Sequence, residues 1–169
     1  MRIVGGTYGG RIFRPGKKFK ARPTTDIAKE GLFNILENRY HFTDKTVIDL
    51  FAGTGSIGYE FVSRGCKSLT LVEGDVNHFR FILEVLETLK IENAKPFKAD
   101  VFKFLKTCPE KFNFIFADPP YDFDNYNELI DHIPEKLKKN GVFILEHGGQ
   151  HNFNECKNFD GTRRYGSVR

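Results

Sequence analysis

No run of eighteen apolar residues occurs in this chain of 169 residues, so nothing in it reads as a transmembrane helix. The amino terminus, MRIVGGTYGG, lacks the charged-then-apolar order of a secretory signal, and a soluble, cytoplasmic protein that meets no membrane is expected. Cysteine is scarce. Cys66, Cys108 and Cys156 are odd in number, far apart and without metal-ligand spacing, which excludes a disulfide framework and reads as reduced thiols. The histidines, His41, His78, His132, His147 and His151, are scattered in no credible ligand set, so no metal is expected. No serine stands in a G-x-S-x-G elbow, which removes that class of hydrolase. Internal repeats and low-complexity segments are absent, and 40% hydrophobic content suffices for one core. One domain over 1–169 is expected, with a basic arm over 1–24 and a core over 25–169.

Acidic residues are missing from the first 22 positions, which hold Arg2, Arg11, Arg14, Lys17, Lys18, Lys20 and Arg22. That segment carries +7 in a chain of net charge +4, leaving the remainder at −3. A basic arm on a slightly acidic body is what a phosphate backbone attracts. Charge alone equally describes a solvated terminus. The interleaved Tyr8, Phe13 and Phe19 favour an ordered arm that packs or contacts bases.

RIVGG and GRIF flank a turn at Gly9 and Gly10, which suggests a small hairpin. Pro23 holds Arg22 extended, and Thr24, Thr25 and Asp26 are candidate caps for a helix through Ile27, Leu32, Ile35 and Leu36. Gly31 within it asks for a close neighbour or for strain. From Lys45 the chain alternates short apolar strands with amphipathic helices. The strands are TVIDLF, SLTLVE, KPFKA, FNFIFA and GVFILE. Helices are expected after Gly58, from Val76 to about Lys90 with Phe79, Leu83, Leu86 and Lys90 on its apolar face, over Phe102 to Lys106 and over Leu129 to Leu137. This alternation predicts an α/β fold, a mostly parallel, doubly wound sheet with helices on both faces. The tail after Gly148 reads as a loop entering one or two last strands.

Two turns carry the chemistry. Asp49-Leu50-Phe51-Ala52-Gly53-Thr54-Gly55-Ser56-Ile57-Gly58 is a G-x-G-x-x-G turn between a strand and a helix, with Glu73 twenty residues beyond Gly53. The pattern also fits a dinucleotide-binding turn, but Asp49 would lie unfavourably close to a pyrophosphate. S-adenosylmethionine brings an ammonium and a sulfonium instead. Gly53, Gly55 and Gly58 let the backbone approach such a ligand, and Glu73 can accept from ribose hydroxyls. Asp100 either accepts from an adenine amino group or caps the helix at Val101.

The second turn is Asp118-Pro119-Pro120-Tyr121 at the end of the fourth strand. Two prolines project it from the sheet in one shape. The Asp118 carboxylate and the Pro119 carbonyl could hold both protons of a base amino group and localise its delocalised lone pair, while Tyr121 stacks on the base. A rigid turn that merely ends a strand is the plainer alternative.

Asp49 to Gly58 followed by Asp118 to Tyr121 resembles the class I methyltransferases that modify base amino groups. Adding Arg2-Ile3-Val4-Gly5-Gly6, Gly10-Arg11, Arg22-Pro23-Thr24-Thr25-Asp26 and Glu30-x-Leu32-Phe33-Asn34, nearly the whole chain resembles the RsmD-type 16S ribosomal RNA guanine-N2 methyltransferases. The resemblance implies S-adenosylmethionine held by Asp49, Ala52, the glycines, Glu73 and Asp100 with help from Thr24 and Thr25. It also implies a guanine amino group met by Asp118, Pro119, Pro120 and Tyr121, and 16S rRNA in the small ribosomal subunit or its assembly intermediate bound by the basic arm. A monomer is expected. Another base amino-methyltransferase, acting on DNA adenine or cytosine or on other RNA, is the alternative. The family continues past Tyr165-Gly166 with a full apolar strand where only Ser167-Val168-Arg169 remain, so an incomplete last strand is expected.

Overall fold

The computed structural model describes residues 1–16 and 25–165. Lys17, Lys18, Lys20, Arg22 and Thr24 of the expected sites lie outside the described residues. Helix α1 (Asp26–Arg39) is followed by β1 (Thr46–Leu50), α2 (Ser56–Ser63), β2 (Ser68–Glu73), α3 (Val76–Leu89), β3 (Ala94–Lys98), α4 (Val101–Thr107), β4 (Phe112–Ala117), α5 (Tyr126–Lys136) and β5 (Leu137–Leu145). The five strands pair in the order β3-β2-β1-β4-β5, and every pairing is parallel. The expected doubly wound sheet is therefore present. Its order reverses between β1 and β4, and an open α/β sheet forms its crevice at the carboxyl ends of the strands where this happens.

Strand alternation divides the core into two layers. Val47, Leu69, Leu71, Phe114 and Phe116 pack with Phe33, Ile57, Phe61 and Ile82 from α1, α2 and α3. Ile48, Leu50, Val72, Ile115 and Ala117 pack with Val101, Leu105, Leu129 and Ile133 from α4 and α5. Each such side chain, fully buried, contributes roughly 1.5–3 kcal/mol, so the apolar runs of β1 and β4 are explained by burial on both faces. Edge contacts among Phe33, Phe42, Phe61 and Phe114 close the first layer.

Several boundaries differ from expectation. Helix α2 begins at Ser56 and contains Gly58, because Asp49 Oδ2 accepts from the free Gly58 N–H (3.0 Å) and so satisfies the first turn from across the sheet. Helix α5 begins at Tyr126 and accommodates Pro134. In α3 the buried stripe is Phe81, Ile82, Val85, Leu86 and Leu89, while Leu83 is exposed. The hairpin shrinks to one antiparallel bridge, Arg2 with Ile12, flanked by backbone bonds from Ile3 to Arg11 and from Phe13 to Met1. After Leu145 the described residues form turns and isolated bridges and no strand, since each short apolar group there is broken by Asn, Gly or charge. Gly31 is explained by the Tyr165 ring, which fills the space a Cβ would need.

The amino-terminal segment is fastened to α2 by a buried ionic cluster that the sequence pattern did not reveal. Glu60 (0% exposed) accepts from the Val4 N–H (2.6 Å) and pairs with Lys29 Nζ (3.6 Å, 1% exposed) and with Arg64. Lys29 also donates to the Arg2 carbonyl, and the Arg64 guanidinium lies 4.4 Å from the Phe33 ring centroid. Gly6, at φ 72°, passes so close to the Ser63 backbone that no Cβ could be accommodated. Tyr8 and Phe13 pack against the core.

Candidate functional site

A cavity of about 320 Å³ opens at the sheet's switch point, at the carboxyl ends of β1, β2 and β4. Among the described residues its lining contains no lysine or arginine and five carboxylates, Asp49, Glu73, Asp75, Asp100 and Asp118. A pyrophosphate would meet five acidic side chains there and no lysine or arginine among the described residues. A cation would find partners in the same side chains, and the lining thus selects between the two ligand classes that the glycine pattern left open.

Four of the five, Asp49, Glu73, Asp75 and Asp100, are positioned by backbone donors. Asp49, next to last in β1, has its side chain buried against Gly58; burial and the nearby Glu73 push its carboxyl up to about 7, against the pull of the Gly58 N–H. Glu73 ends β2, and its two oxygens accept from Gly53 N–H (2.6 Å) and Asp75 N–H (2.7 Å). Each oxygen keeps a lone pair for a ligand hydroxyl. Asp75 caps α3 through Asn77 N–H (2.7 Å) and His78 N–H (3.0 Å). Asp100 caps α4 through Lys103 N–H (3.0 Å), the plainer of the two roles weighed for it, and also lines the cavity. The turn between them is drawn tight. Gly55 caps α2 at φ 77°, where a Cβ would stand 2.6 Å from the Tyr59 ring.

Asp49, Ala52, Gly53, Glu73, Asp100, Asp118 and Pro120 are brought together around this one space. Gly55 and Gly58 shape the turn but, like the buried Pro119 and the 67% exposed Tyr121, are not among the lining residues. Thr25 is the cap of α1, accepting from Ala28 N–H (3.2 Å), and is not among the lining residues. Arg2 pairs with Asp26 (2.9 Å), whereas Arg11 and Arg14 are exposed with no acidic partner among the described residues.

Several lining residues escaped the sequence reading. His78 sits with Nδ1 3.8 Å from Glu73 Oε1. Ser56 Oγ is buried without a hydrogen-bond partner among the described residues, an orphaned polar atom beside the cavity of the kind a ligand satisfies. Phe51 carries φ 58°, a strained conformation for a non-glycine residue, and its ring meets Phe123 at 5.3 Å. Phe123 in turn donates its N–H to the Pro120 carbonyl (2.9 Å). The glycine turn and the proline turn are therefore in physical contact. The signal for these residues was position alone, in the segments that follow β1, β2 and β4.

The model of the family described as Conserved hypothetical protein 95 matches residues 1–169. The chain belongs to this family. Among its relatives, the Ribosomal RNA small subunit methyltransferase D of Haemophilus influenzae is 34% identical over 152 residues, covering 86% of this chain and 78% of that protein. The protein of the same name from Escherichia coli K12 is 36% identical over 121 residues, 72% of this chain and 60% of that one. The structure of a hypothetical protein from Thermus thermophilus, TTHA0928, superposes with a TM-score of 0.86 at 27% identity, over 99% of this chain and 95% of that chain. Within the Conserved hypothetical protein 95 family, then, the RsmD-type resemblance and the class I methyltransferase fold expected from the sequence are both found.

Proposed function

We propose that this protein transfers a methyl group from S-adenosylmethionine to the exocyclic N2 amino group of a guanine in small-subunit ribosomal RNA. The observation that carries the reading is the shared wall: Asp118 and Pro120 of the proline turn border the same carboxylate-lined cavity as Gly53, Glu73 and Asp100. When bound, S-adenosylmethionine supplies an electrophilic methyl on a cationic sulfur. Asp49 and the unpartnered Ser56 Oγ face its charged end, and Glu73 accepts from its ribose hydroxyls.

The remaining chemistry belongs to the chain. The Asp118 carboxylate and the Pro119 carbonyl accept from the two protons of the target amino group, drawing its lone pair out of the ring system and toward the cavity. Burial, with Glu146 and Asp49 nearby, pushes the Asp118 carboxyl up to about 8, so a cation in the cavity is what keeps it ionised at neutral pH. Tyr121, exposed at the mouth, is free to stack on a base lifted out of its helix. Arg11 and Arg14, with Lys17, Lys18, Lys20 and Arg22 beyond the described residues and Arg2 at the base of the arm, contribute the phosphate contacts. A ribosomal substrate places the protein in the cytoplasm, where a monomer suffices for one cavity and one arm.

The test is incubation of the protein with methyl-tritiated cofactor and unmodified small subunits, naked 16S rRNA, or duplex DNA. Label at N2 of a guanine in the ribosomal RNA is the expected result. Label in DNA adenine or cytosine, or no label in any substrate, overturns the reading.

A further inference from the structure

We infer that Glu146 is a positioning residue for Asp118, a second negative charge fixed beside it so that Asp118 takes the proton leaving the methylated nitrogen. The inference rests on the proposed role of Asp118 at the target amine.

The geometry comes from sheet register. Strands β4 and β5 run parallel with Phe116 opposite Ile144 and Ala117 opposite Leu145, and the Glu146 N–H continues the ladder to the Ala117 carbonyl at 2.8 Å. Paired residues of neighbouring strands, about 4.8 Å apart, share a face. Ala117 and Leu145 face the α4 and α5 layer, while Phe116 and Ile144 face the other. One step further, Asp118 and Glu146 fall together on the Phe116 side, the side on which Asp49 of β1 pairs with Phe116. Strand β4 lies between β1 and β5, so Asp118 is flanked by Asp49 of β1 on one side and, on the other, by Glu146, one residue past the end of β5. The charged and titratable groups acting on it are Glu146 and Asp49, and Tyr126 of α5 feels the Asp118 charge in return. Among the described residues no lysine or arginine lines the cavity that Asp49 and Asp118 border.

Such an arrangement raises proton affinity, and the proposed reaction has a proton to place. The target nitrogen gains a bond to the methyl carbon, leaves the sulfur its electron pair, and then carries one proton too many. Asp118 accepts that proton at its carboxylate, becomes neutral, and passes it to water as the site opens. Without Glu146 the Asp118 carboxylate is a weaker base. It ionises at lower pH but takes the proton less readily.

The experiment is a carbon-13 NMR titration of the Asp118 carboxyl in the intact protein, assigned with Asp118→Asn, comparing wild type with Glu146→Gln and Glu146→Asp. The expected midpoint falls by about one pH unit in Glu146→Gln and returns toward wild type in Glu146→Asp. An unchanged midpoint in Glu146→Gln overturns the pairing. Single-turnover methyl transfer gives the second readout. The Glu146→Gln pH profile should shift to lower pH, with its loss greatest at about pH 9 and least at about pH 6. An equal loss at every pH means a structural role and overturns the inference. Absence of transfer by the wild type, with the NMR shift present, sinks the assigned reaction and the proton-accepting role with it. That outcome is distinct from an unshifted midpoint, which sinks the pairing alone.

Discussion

Asp118 sits between Asp49 and Glu146, and what its removal does depends on whether it touches the target or the cofactor. It borders the cavity at the proline turn, whereas Asp49, Glu73 and Asp100 border it from β1, β2 and the start of α4. Asp118→Ala should therefore lower kcat by about 100-fold, the cost of losing one preorganised acceptor, while calorimetry at about pH 6, where the Asp118 carboxyl of the ligand-free protein is protonated, finds cofactor affinity little changed. Equal losses of both would reassign the residue to cofactor binding. Gly58 makes the opposite kind of point. Alanine normally gains about 1 kcal/mol over glycine inside a helix, but a Cβ here would stand 2.8 Å from Leu71 Cδ2 and 3.2 Å from Asp49 Oδ2. Overpacking of this kind costs about 1–3 kcal/mol. Gly58→Ala should lower the denaturation midpoint and weaken cofactor binding together, because the displaced carboxylate lines the cavity.

Elements are held by interactions with very different visibility in the sequence. The alternation of strands with helices was legible, most plainly at β1, β2 and β4, because burial on both faces of a parallel sheet forces continuous apolar runs. So were the two turns, whose residues converge on one cavity although about sixty positions separate them in the chain. Glu60 was not legible. In sequence it is one acid in a helix, and only the docking of residues 1–16 shows it buried beneath Val4 and Gly5 with Lys29 and Arg64 around it. The same limit hid Phe51 and Phe123, whose contact joins two turns by tertiary packing alone. Glu60→Ala would leave Lys29 buried at 1% exposure without that carboxylate, and removing one partner of a buried pair costs about 3–5 kcal/mol. Urea denaturation should read a loss of that order, and limited proteolysis should cut within residues 1–16 first. A loss below about 1 kcal/mol would mean that the cluster is solvated and the segment is held by Ile3, Tyr8 and Phe13 instead.

The molecule as a whole combines a basic amino-terminal segment with an acidic cavity, and the charge of that cavity makes cofactor binding a function of pH. In the ligand-free protein the Asp49 and Asp118 carboxyls stand at about 7 and about 8, against 3.8 for an ordinary aspartate. For an acid raised in this way the folded state binds more protons than the unfolded one between those limits. Its stabilising contribution is thus greatest at low pH and is lost as pH rises toward 8. Asp44 and Asp75, lowered by the Lys45 side chain and by the backbone N–H groups of His78 and Asn77, act only below about pH 4. The Met1 ammonium, lowered by burial, works in the opposite direction near pH 8, one group against two. The melting temperature of the free protein should accordingly fall between about pH 5 and pH 8.5. A cationic ligand favours the ionised carboxylates, so affinity for S-adenosylmethionine should climb through the same window, by at most about tenfold per pH unit for each proton released. S-adenosylhomocysteine, which lacks the sulfonium charge, should show a shallower slope. Calorimetry across this range in buffers of different ionisation enthalpy measures both affinity and proton release. Parallel slopes for the two ligands would mean that the carboxylates respond to the ammonium they share, and Asp118 would then lie too far from the sulfur to serve the reaction assigned to it.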